Sequence, residues 1–483
     1  MSDPTTPVAE PTLLQTSDQK IAFPSLRFSL LELALLLSLW FFYGAIINSR
    51  NLEAFNLQHA GVEAIVERRQ FSIEGSEQPR FQIKVYFDGD MPFGDTFLYN
   101  GRQYAAKQPG QFMAGALVYF FLRLFGFSYL NNYFLTSALV TFFTSSLVTA
   151  AAALAVFRTV REFTERDELL WPLASALSYA LATTALVYSG ITYHDALASG
   201  YLVIAFYLIV LLARHQPRSR AAGVVAGAAG FLLGTAITTS MLPFFPTCIL
   251  AAYFLWLRRW DLTPWALVGG FVGLAPLLFF NAVSFGNPLL TAYIAGGYPE
   301  SFLRWSPHNS LQKIGLYVWE ITLYVPIVWV GFLGLVGYPR SFRREVIAML
   351  ALFLAMAIQV LNIDSHGGCH YGPRFLLPVM PYACIGLAGC YYLRGRITRF
   401  LALASIGIAA ATSFVVSFVG ALYGAMYCET DIYAFWRYLE QMQNVVWREF
   451  PLASLLVVPF ALSTLLLVHQ IWTKRRGQTF TQS

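Results

Sequence analysis

The sequence predicts an all-α polytopic membrane protein with about twelve transmembrane helices and a large first extracytoplasmic loop. Of its 483 residues, 57% are hydrophobic and only 12% are charged, whereas a soluble domain carries roughly 25% charged residues. Apolar runs of the roughly 20 residues that a bilayer requires follow one another closely from residue 28 to residue 471. This spacing leaves no room for separate soluble domains, so we expect a single transmembrane domain over 28–471.

Twelve apolar runs have the composition and approximate length of a membrane span. One further apolar run, 111–127, is assigned from the charges around it. The twelve runs cover 28–48, 131–157, 169–189, 194–213, 221–239, 241–257, 265–282, 314–337, 344–362, 374–393, 399–427 and 451–471.

The basic residues between the runs decide how 111–127 is interpreted. If this run does not cross the membrane, every basic cluster falls on one side together with Lys20 and Arg27, and both termini are cytoplasmic. If it does cross, Arg27 falls on the opposite side of the membrane from all the later clusters. We therefore interpret 111–127 as a helix that lies on or dips into the outer leaflet. The clusters are Arg158/Arg161/Arg166, Arg214/Arg218/Arg220, Arg258/Arg259, Arg340/Arg343/Arg344, Arg394/Arg396/Arg399 and Lys474/Arg475/Arg476.

This topology divides the chain into functional regions. Residues 1–27 form a disordered cytoplasmic tail, 49–127 an extracytoplasmic loop with its interfacial helix, and 472–483 a second cytoplasmic tail. The cytoplasmic loops are short and basic, so we expect any chemistry on the outer side. The net charge of +6 resides largely in these loop clusters and therefore indicates membrane topology rather than a nucleic-acid partner.

The outer stretch 86–111 is the strongest candidate for chemistry. It contains the carboxylates Asp88, Asp90 and Asp95, followed by the cations Arg102 and Lys107. A carboxylate in a water-accessible loop can act as a general base on a hydroxyl. The D-x-D spacing of the first two also suits a divalent cation. A solvated acidic turn is the alternative, because Asp, Gly and Pro are common turn formers.

A second polar feature is the pair His194 and Asp195, which lies at the short outer turn 189–194. Asp195 has two interpretations. It can cap the helix that follows, because a carboxylate is favourable at a helix N-terminus. Alternatively, the pair faces the acidic loop across the membrane surface and contributes to a substrate site.

A third feature is the glycine-rich outer segment 364–374. His366, His370 and Arg374 are suited to stabilising a phosphate, which arginine binds bidentately. His366, Cys369 and His370 also resemble zinc ligands, although their spacing matches no standard zinc pattern. In the alternative interpretation, the Arg374 side chain extends along the membrane edge to keep its charge in water.

These pieces occur in an order that resembles a known family. The chain carries Tyr99-Asn-Gly-Arg-Gln-Tyr104, then Lys107-Gln-Pro-Gly110, His194-Asp195, Phe285-Gly-Asn-Pro288 and Tyr371-Gly-Pro-Arg374. This order resembles bacterial multispanning glycosyltransferases of the GT-C superfamily, which are relatives of protein O-mannosyltransferases and of the aminoarabinose-lipid A transferase. The resemblance extends over most of 30–395.

The resemblance implies an activity and a location. A sugar would be transferred from a polyprenyl-phosphate donor to a hydroxyl of a lipid, glycan or protein acceptor, with inversion, on the outer face of the bacterial plasma membrane. An Asp of the first outer loop would be the base. Asp88 and Asp90 form the tighter pair, whereas Asp95 lies in the context that most resembles the family.

The remaining roles follow from the same resemblance. We assign no metal ligands, and a divalent cation at Asp88 and Asp90 stays open. The cations for the donor phosphate would be Arg102, Lys107, His370 and Arg374. The substrate would be contacted by Tyr104, His194, Asp195 and Tyr371.

The alternative class is a polytopic transporter or flippase of a lipid-linked or small substrate. Transporters carry ionisable residues and broken helices near the midplane of the membrane. In this sequence the charges are nearly absent from the spans and concentrate at their outer edges. The pattern therefore favours surface chemistry over translocation.

Overall fold

The computed structural model describes residues 28–82, 95–165, 167–215, 220–297, 307–363, 370–427 and 433–481. Within these ranges the chain is mainly helical, and its single sheet is a two-stranded hairpin. The strands are β1 (Thr96–Tyr99) and β2 (Arg102–Ala105). The helices are α1 (Leu30–Ala45), α2 (Ser49–Ala54), α3 (Asn56–Glu67), α4 (Gly110–Leu124), α5 (Tyr133–Thr141), α6 (Leu147–Phe163), α7 (Leu170–Leu181), α8 (Thr184–Ser189), α9 (His194–His215), α10 (Arg220–Thr239), α11 (Phe244–Trp256), α12 (Thr263–Phe285), α13 (Ala292–Ala295), α14 (Pro307–Tyr324), α15 (Ile327–Gly334), α16 (Arg343–Asn362), α17 (Met380–Gly386), α18 (Arg396–Tyr423), α19 (Phe435–Gln441) and α20 (Ala453–Thr481).

The predicted class, an all-α polytopic membrane protein, is confirmed, but the predicted count of twelve spans is not. The described residues contain eight helices that are long and apolar enough to cross a membrane. The number is nine if α14 and α15, which are bent by 103° at their junction, form one broken span. Each of the twelve predicted runs contains a helix. Three of these helices, α1, α7 and α11, have only 16, 12 and 13 residues.

Local breaks divide two of the predicted spans. The run 169–189 is divided because α7 ends at Leu181 and the Thr183 side chain caps the next helix by accepting a hydrogen bond from the backbone N–H of Ala185. The bend between α14 and α15 occurs at Pro326, the residue that directly precedes α15. Proline cannot donate a backbone hydrogen bond and therefore interrupts a helix.

The doubtful run 111–127 forms α4, a helix of 15 residues. Its length of about 22 Å is less than the hydrocarbon thickness of a bilayer. One face is buried through Phe112 and Tyr119, while Leu117, Phe121 and Leu124 are exposed. The placement of this helix at the membrane interface stays a prediction.

Arginines of several basic clusters, among the described residues, share one end of the helix bundle. Arg158 lies 3.1 Å from Glu32 near the start of α1, and the guanidinium of Arg214 lies 4.6 Å from the ring centroid of Phe342. At the same end, the Tyr392 hydroxyl donates a hydrogen bond to the Phe163 carbonyl. Helix α9 has 22 residues, so its other end lies about 33 Å away. His194 and Asp195 begin α9 at that opposite end.

The hairpin lies at the same end as His194. Its strands are antiparallel, with Thr96 opposite Ala105 and Tyr99 opposite Arg102. Asn100 and Gly101 form the turn with φ values of 50° and 76°, which is the conformation that two-residue hairpins prefer. The hairpin is fixed to the end of α12, because the Tyr99 hydroxyl donates to the Phe285 carbonyl at 3.3 Å. The turn end of the hairpin is therefore held against α12.

Candidate active site

The open end of the hairpin places Asp95 beside Lys107. Asp95 directly precedes β1, Lys107 follows β2, and the N–H of Ala106 donates to the Asp95 carbonyl at 2.6 Å. The Lys107 ammonium lies 2.7 Å from an Asp95 carboxylate oxygen. The side chain of Lys107 is 8% exposed, whereas that of Asp95 is 61% exposed. The pair therefore presents its carboxylate to water and keeps its ammonium inside the protein.

The backbone of Asp95 is left-handed, with a φ of 54°. This conformation is uncommon for residues other than glycine, and aspartate is one of the few that tolerate it. Strained backbone of this kind clusters at catalytic and ligand-binding sites. The strain makes Asp95 a functional candidate independently of its charge.

A second charged group lies at the start of α9. Asp195 accepts a hydrogen bond from the Ser240 hydroxyl at 2.9 Å. His194 Nε2 and Arg374 Nε lie 3.4 Å and 3.8 Å from its carboxylate oxygens. The Arg374 guanidinium also stacks on Tyr193, 5.1 Å from the ring centroid. Asp195 thus lies in the first turn of α9, where a carboxylate is favourable, and beside Arg374. Its predicted roles as a helix cap and in a substrate site stay predictions.

The two charged groups act on each other. The protein packed around Asp95 tends to raise the pKa of its carboxyl, but Lys107, and then Arg374 and His194, outweigh this effect and hold that pKa below its usual value. Burial tends to lower the pKa of Lys107, and the Asp95 carboxylate more than offsets it, so the net shift is upward. Asp95 is therefore ionised and Lys107 protonated at neutral pH. Together the two groups form one cluster of alternating charge.

His370 lies beside a different carboxylate. Its Nε2 is 3.5 Å from a carboxylate oxygen of Glu320 in α14, and the Glu320 side chain is only 6% exposed. Tyr188 lies within electrostatic reach of Glu320, Asp195 and Arg374. His370 therefore borders the cluster through Glu320 and Tyr188.

Three predicted residues are placed elsewhere. Arg102 lies at the turn end of the hairpin, away from Lys107, and lines a separate cavity of about 320 Å³ with Arg69, Tyr104 and Ser284. The ring of Tyr104 packs on Phe285, 5.2 Å between centroids. The predicted donor-phosphate role of Arg102 and the predicted substrate role of Tyr104 would therefore apply to this separate cavity.

Tyr371 is buried within the fold. Its hydroxyl donates to the Val416 carbonyl at 2.9 Å, and its ring stacks on Tyr438 with 5.1 Å between centroids. Tyr371 is 0% exposed. Its contacts in the structure are therefore packing contacts rather than cavity contacts.

Several predicted residues lie outside the described part of the chain, and their roles stay predictions. These residues are Asp88, Asp90, His366 and Cys369.

The sequence analysis assigned no site role to three residues in or beside the cluster. Ser240 directly follows α10, and Glu320 lies in α14. Both residues are far along the chain from the acidic loop. Tyr293 lies within electrostatic reach of Lys107, Asp95, Asp195 and Arg374, and burial raises its pKa. The only sequence signal for Glu320 was an acidic residue within an otherwise apolar run.

The structure defines a class of protein, a helical multispanning membrane protein with a charged, water-accessible cluster at one end of its bundle. ArnT of Cupriavidus metallidurans, solved in complex with undecaprenyl phosphate, matches it with a TM-score of 0.50 at 15% sequence identity, over 91% of this chain and 76% of ArnT. The oligosaccharyltransferase of Archaeoglobus fulgidus, solved with zinc and sulfate, matches with a TM-score of 0.50 at 15% identity, over 83% of this chain and 54% of that one.

Both of these proteins are members of the GT-C superfamily. The chain therefore has the GT-C fold, and the resemblance found in its motifs is confirmed at the level of the fold. It spans about half the length of the archaeal oligosaccharyltransferase. No protein-family model and no curated protein matches the sequence.

Proposed function

We propose that this protein is a membrane glycosyltransferase that moves a sugar from a polyprenyl-phosphate donor to an acceptor hydroxyl. One observation carries the proposal: a water-exposed carboxylate, Asp95, lies 2.7 Å from the buried cation Lys107, within electrostatic reach of a second cation, Arg374. The complex of ArnT with undecaprenyl phosphate supports a lipid-phosphate donor for a chain of this fold.

The leaving group determines what chemistry the site needs. A lipid phosphate leaves as an anion, so it requires cations rather than a protonating acid. Lys107 and Arg374 supply these cations, and Arg374 can bind two phosphate oxygens at once. Tyr193 and Asp195 already hold the Arg374 guanidinium in place, so little reorganisation is needed when a phosphate binds.

Among the described residues, Asp95 is the proposed base. The acceptor oxygen forms a bond to the anomeric carbon while the bond from that carbon to the phosphate oxygen breaks. The acceptor proton passes to the Asp95 carboxylate, and the phosphate leaves with the bonding electrons. A single displacement of this kind inverts the sugar carbon. Asp88 and Asp90 stay as alternative bases.

Lys107 links donor binding to the strength of the base. In the ion pair it holds the pKa of Asp95 below its usual value, which makes the carboxylate a weak proton acceptor. A donor phosphate competes for the same ammonium. Once Lys107 turns to the phosphate, the pKa of Asp95 rises, and the base becomes active only when the donor is present.

The membrane placement of the site is also part of the proposal. The site and the basic clusters occupy opposite ends of the bundle, and basic clusters mark the cytoplasmic side. The site would then face the outer side of a bacterial plasma membrane, with both termini in the cytoplasm. Charges concentrated at this end, rather than at mid-membrane, favour transfer over the transport alternative.

Replacing Asp95 tests the assignment. Asp95→Asn keeps the shape of the side chain and removes its basicity, so we expect transfer from undecaprenyl-phosphate sugars in proteoliposomes to fall about 100-fold or more. The matched control is Asp261→Asn, because Asp261 is also exposed and paired with an arginine, Arg259, at 2.9 Å. The control should retain full activity.

The comparison with the neighbouring carboxylates distinguishes the outcomes. Full activity of Asp95→Asn together with loss in Asp88→Asn or Asp90→Asn would move the base to that residue. Full activity in all three variants, or no sugar transfer by the unmodified protein from any polyprenyl-phosphate sugar, would contradict the proposed function.

A further inference from the structure

A cavity of about 750 Å³ lies at the basic end of the bundle, opposite the candidate active site. It is formed where α9 and α11 end and where the segment leading into α16 begins. Its charged and aromatic lining consists of Arg214, Arg340, Arg343, Arg344, Glu345 and Trp256.

The charges of this basic cavity are strongly unbalanced. Four guanidinium groups face one carboxylate, that of Glu345, which is 5% exposed in the first turn of α16. In the described part of the chain, none of the four arginines forms an ion pair with an acidic side chain. Arg158, at the same end of the bundle, instead pairs with Glu32 at 3.1 Å.

Aromatic rings hold two of these arginines. The Arg214 guanidinium lies 4.6 Å from the Phe342 ring centroid, and that of Arg344 lies 5.9 Å from the Trp256 centroid. Stacking on a ring fixes a guanidinium without using its N–H donors. The donors therefore stay available to an anion.

Membrane topology explains why arginines occur at this end of the bundle. It does not explain why residues from α9 and from the start of α16 surround one cavity with their charges uncompensated. Arg396, also at this end, is exposed at the start of α18 and does not line the cavity. The concentration of charge is thus specific to the cavity.

The rim of the cavity is apolar and exposed. Trp256 is 43% exposed and Ile347 is 38% exposed. Tryptophan is enriched at the boundary between membrane and water. A ligand at this position can place its charge among the arginines while its apolar part stays in the bilayer.

We infer that the basic cavity binds the phosphate headgroup of an anionic phospholipid. Basic pockets between membrane helices are suited to such headgroups. The volume exceeds what one inorganic phosphate needs, and the exposed Trp256 and Ile347 favour a lipid over a free anion. The inference does not depend on the proposed transferase activity.

Lipid binding to the full chain tests the inference. The purified protein is mixed with vesicles of phosphatidylglycerol and phosphatidylethanolamine, or of phosphatidylethanolamine alone, and bound lipid is counted by native mass spectrometry. We expect retention of phosphatidylglycerol that weakens roughly 30-fold in the double variant Arg214→Ala, Arg344→Ala. Arg396→Ala, which removes an arginine outside the cavity, should bind as the unmodified chain does.

A second variant distinguishes a specific effect on lipid binding from a loss of binding through misfolding. Glu345→Gln removes the one carboxylate of the cavity, so we expect phosphatidylglycerol to bind more tightly. Equal binding of phosphatidylethanolamine, unchanged binding in the double variant, or weaker binding in Glu345→Gln would each overturn the inference. Inorganic phosphate that displaces the lipid at comparable concentration would show a free-anion site instead, and would overturn the lipid assignment.

Discussion

The ion pair between Asp95 and Lys107 is asymmetric. The ammonium is buried and the carboxylate is open to water, with side-chain exposures of 8% and 61%. Lys107 has few ways to be solvated other than through Asp95. Asp95 can exchange its partner for water or for a substrate hydroxyl. An arriving phosphate therefore changes the environment of both residues at once.

Replacing Lys107 exposes this coupling in the pH dependence of transfer. A carboxyl whose pKa is lowered in the folded protein keeps its charge as the pH falls until that lower pKa is reached. Lys107→Met removes the main influence that lowers the pKa of Asp95, while the effect of the surrounding protein, which raises that pKa, stays. We expect the acid limb of kcat/KM against pH, which reports the enzyme without bound donor, to move to higher pH, together with a lower kcat.

Arg102→Met is the control for this experiment, because Arg102 lies at the far end of the hairpin and lines another cavity. Its acid limb should stay where it is in the unmodified protein. An unchanged acid limb in Lys107→Met would mean that Asp95 is not the group that titrates.

The hairpin is the element that brings Asp95 and Lys107 together. Its register pairs Thr96 with Ala105, so the residues just outside the pair meet at the open end. The sequence contained the turn signal Asn100-Gly101 and the flanking charges. It did not reveal which charges would be neighbours. Arg102 was grouped with Lys107 from sequence, yet the hairpin places the two at opposite ends.

The turn of the hairpin offers a direct test of this role. Gly101 has a φ of 76°, and a Cβ added there would meet no atom within 4 Å. Gly101→Val therefore destabilises the hairpin through the backbone alone. The left-handed conformation costs a residue with a Cβ about 1–2 kcal/mol of folding free energy. We expect a lower melting temperature for the outer region and reduced transfer, because the register that aligns Asp95 with Lys107 is weakened.

Gly101→Asn is the matched control, since asparagine tolerates the left-handed conformation. It should retain most of the activity. Equal loss in both variants would indicate that the turn side chain, rather than the backbone conformation, matters to the site.

At the scale of the whole molecule, the sequence predicted the class but not the assembly of the site. Length and hydropathy located a helix in every predicted span, because apolar runs in a bilayer must satisfy their backbone as helices. The breaks at Thr183 and Pro326 depend on capping and packing, so hydropathy and length alone did not predict the number of complete spans. Ser240, Glu320 and Tyr293 reach the site only through tertiary packing. No sequence spacing links them to Asp95.

Two groups of charged residues lie at opposite ends of the bundle, about the length of α9 apart. The alternating cluster of Asp95, Lys107, Asp195 and Arg374 lies at one end, and the uncompensated arginines lie at the other. A phosphate-bearing lipid finds cations at either end, but at the first end the exposed carboxylate of Asp95 lies 2.7 Å from the buried cation Lys107. The account therefore requires the donor phosphate to bind beside Lys107.

The position of bound undecaprenyl phosphate tests this requirement most directly. A cryo-EM structure of the full chain with this lipid should place the phosphate within hydrogen-bond distance of both Lys107 Nζ and the Arg374 guanidinium, with the Asp95 carboxylate separated from Lys107. A phosphate that binds beside Arg69 and Arg102, or only at the basic end of the bundle, with the Asp95–Lys107 pair intact, would contradict the account.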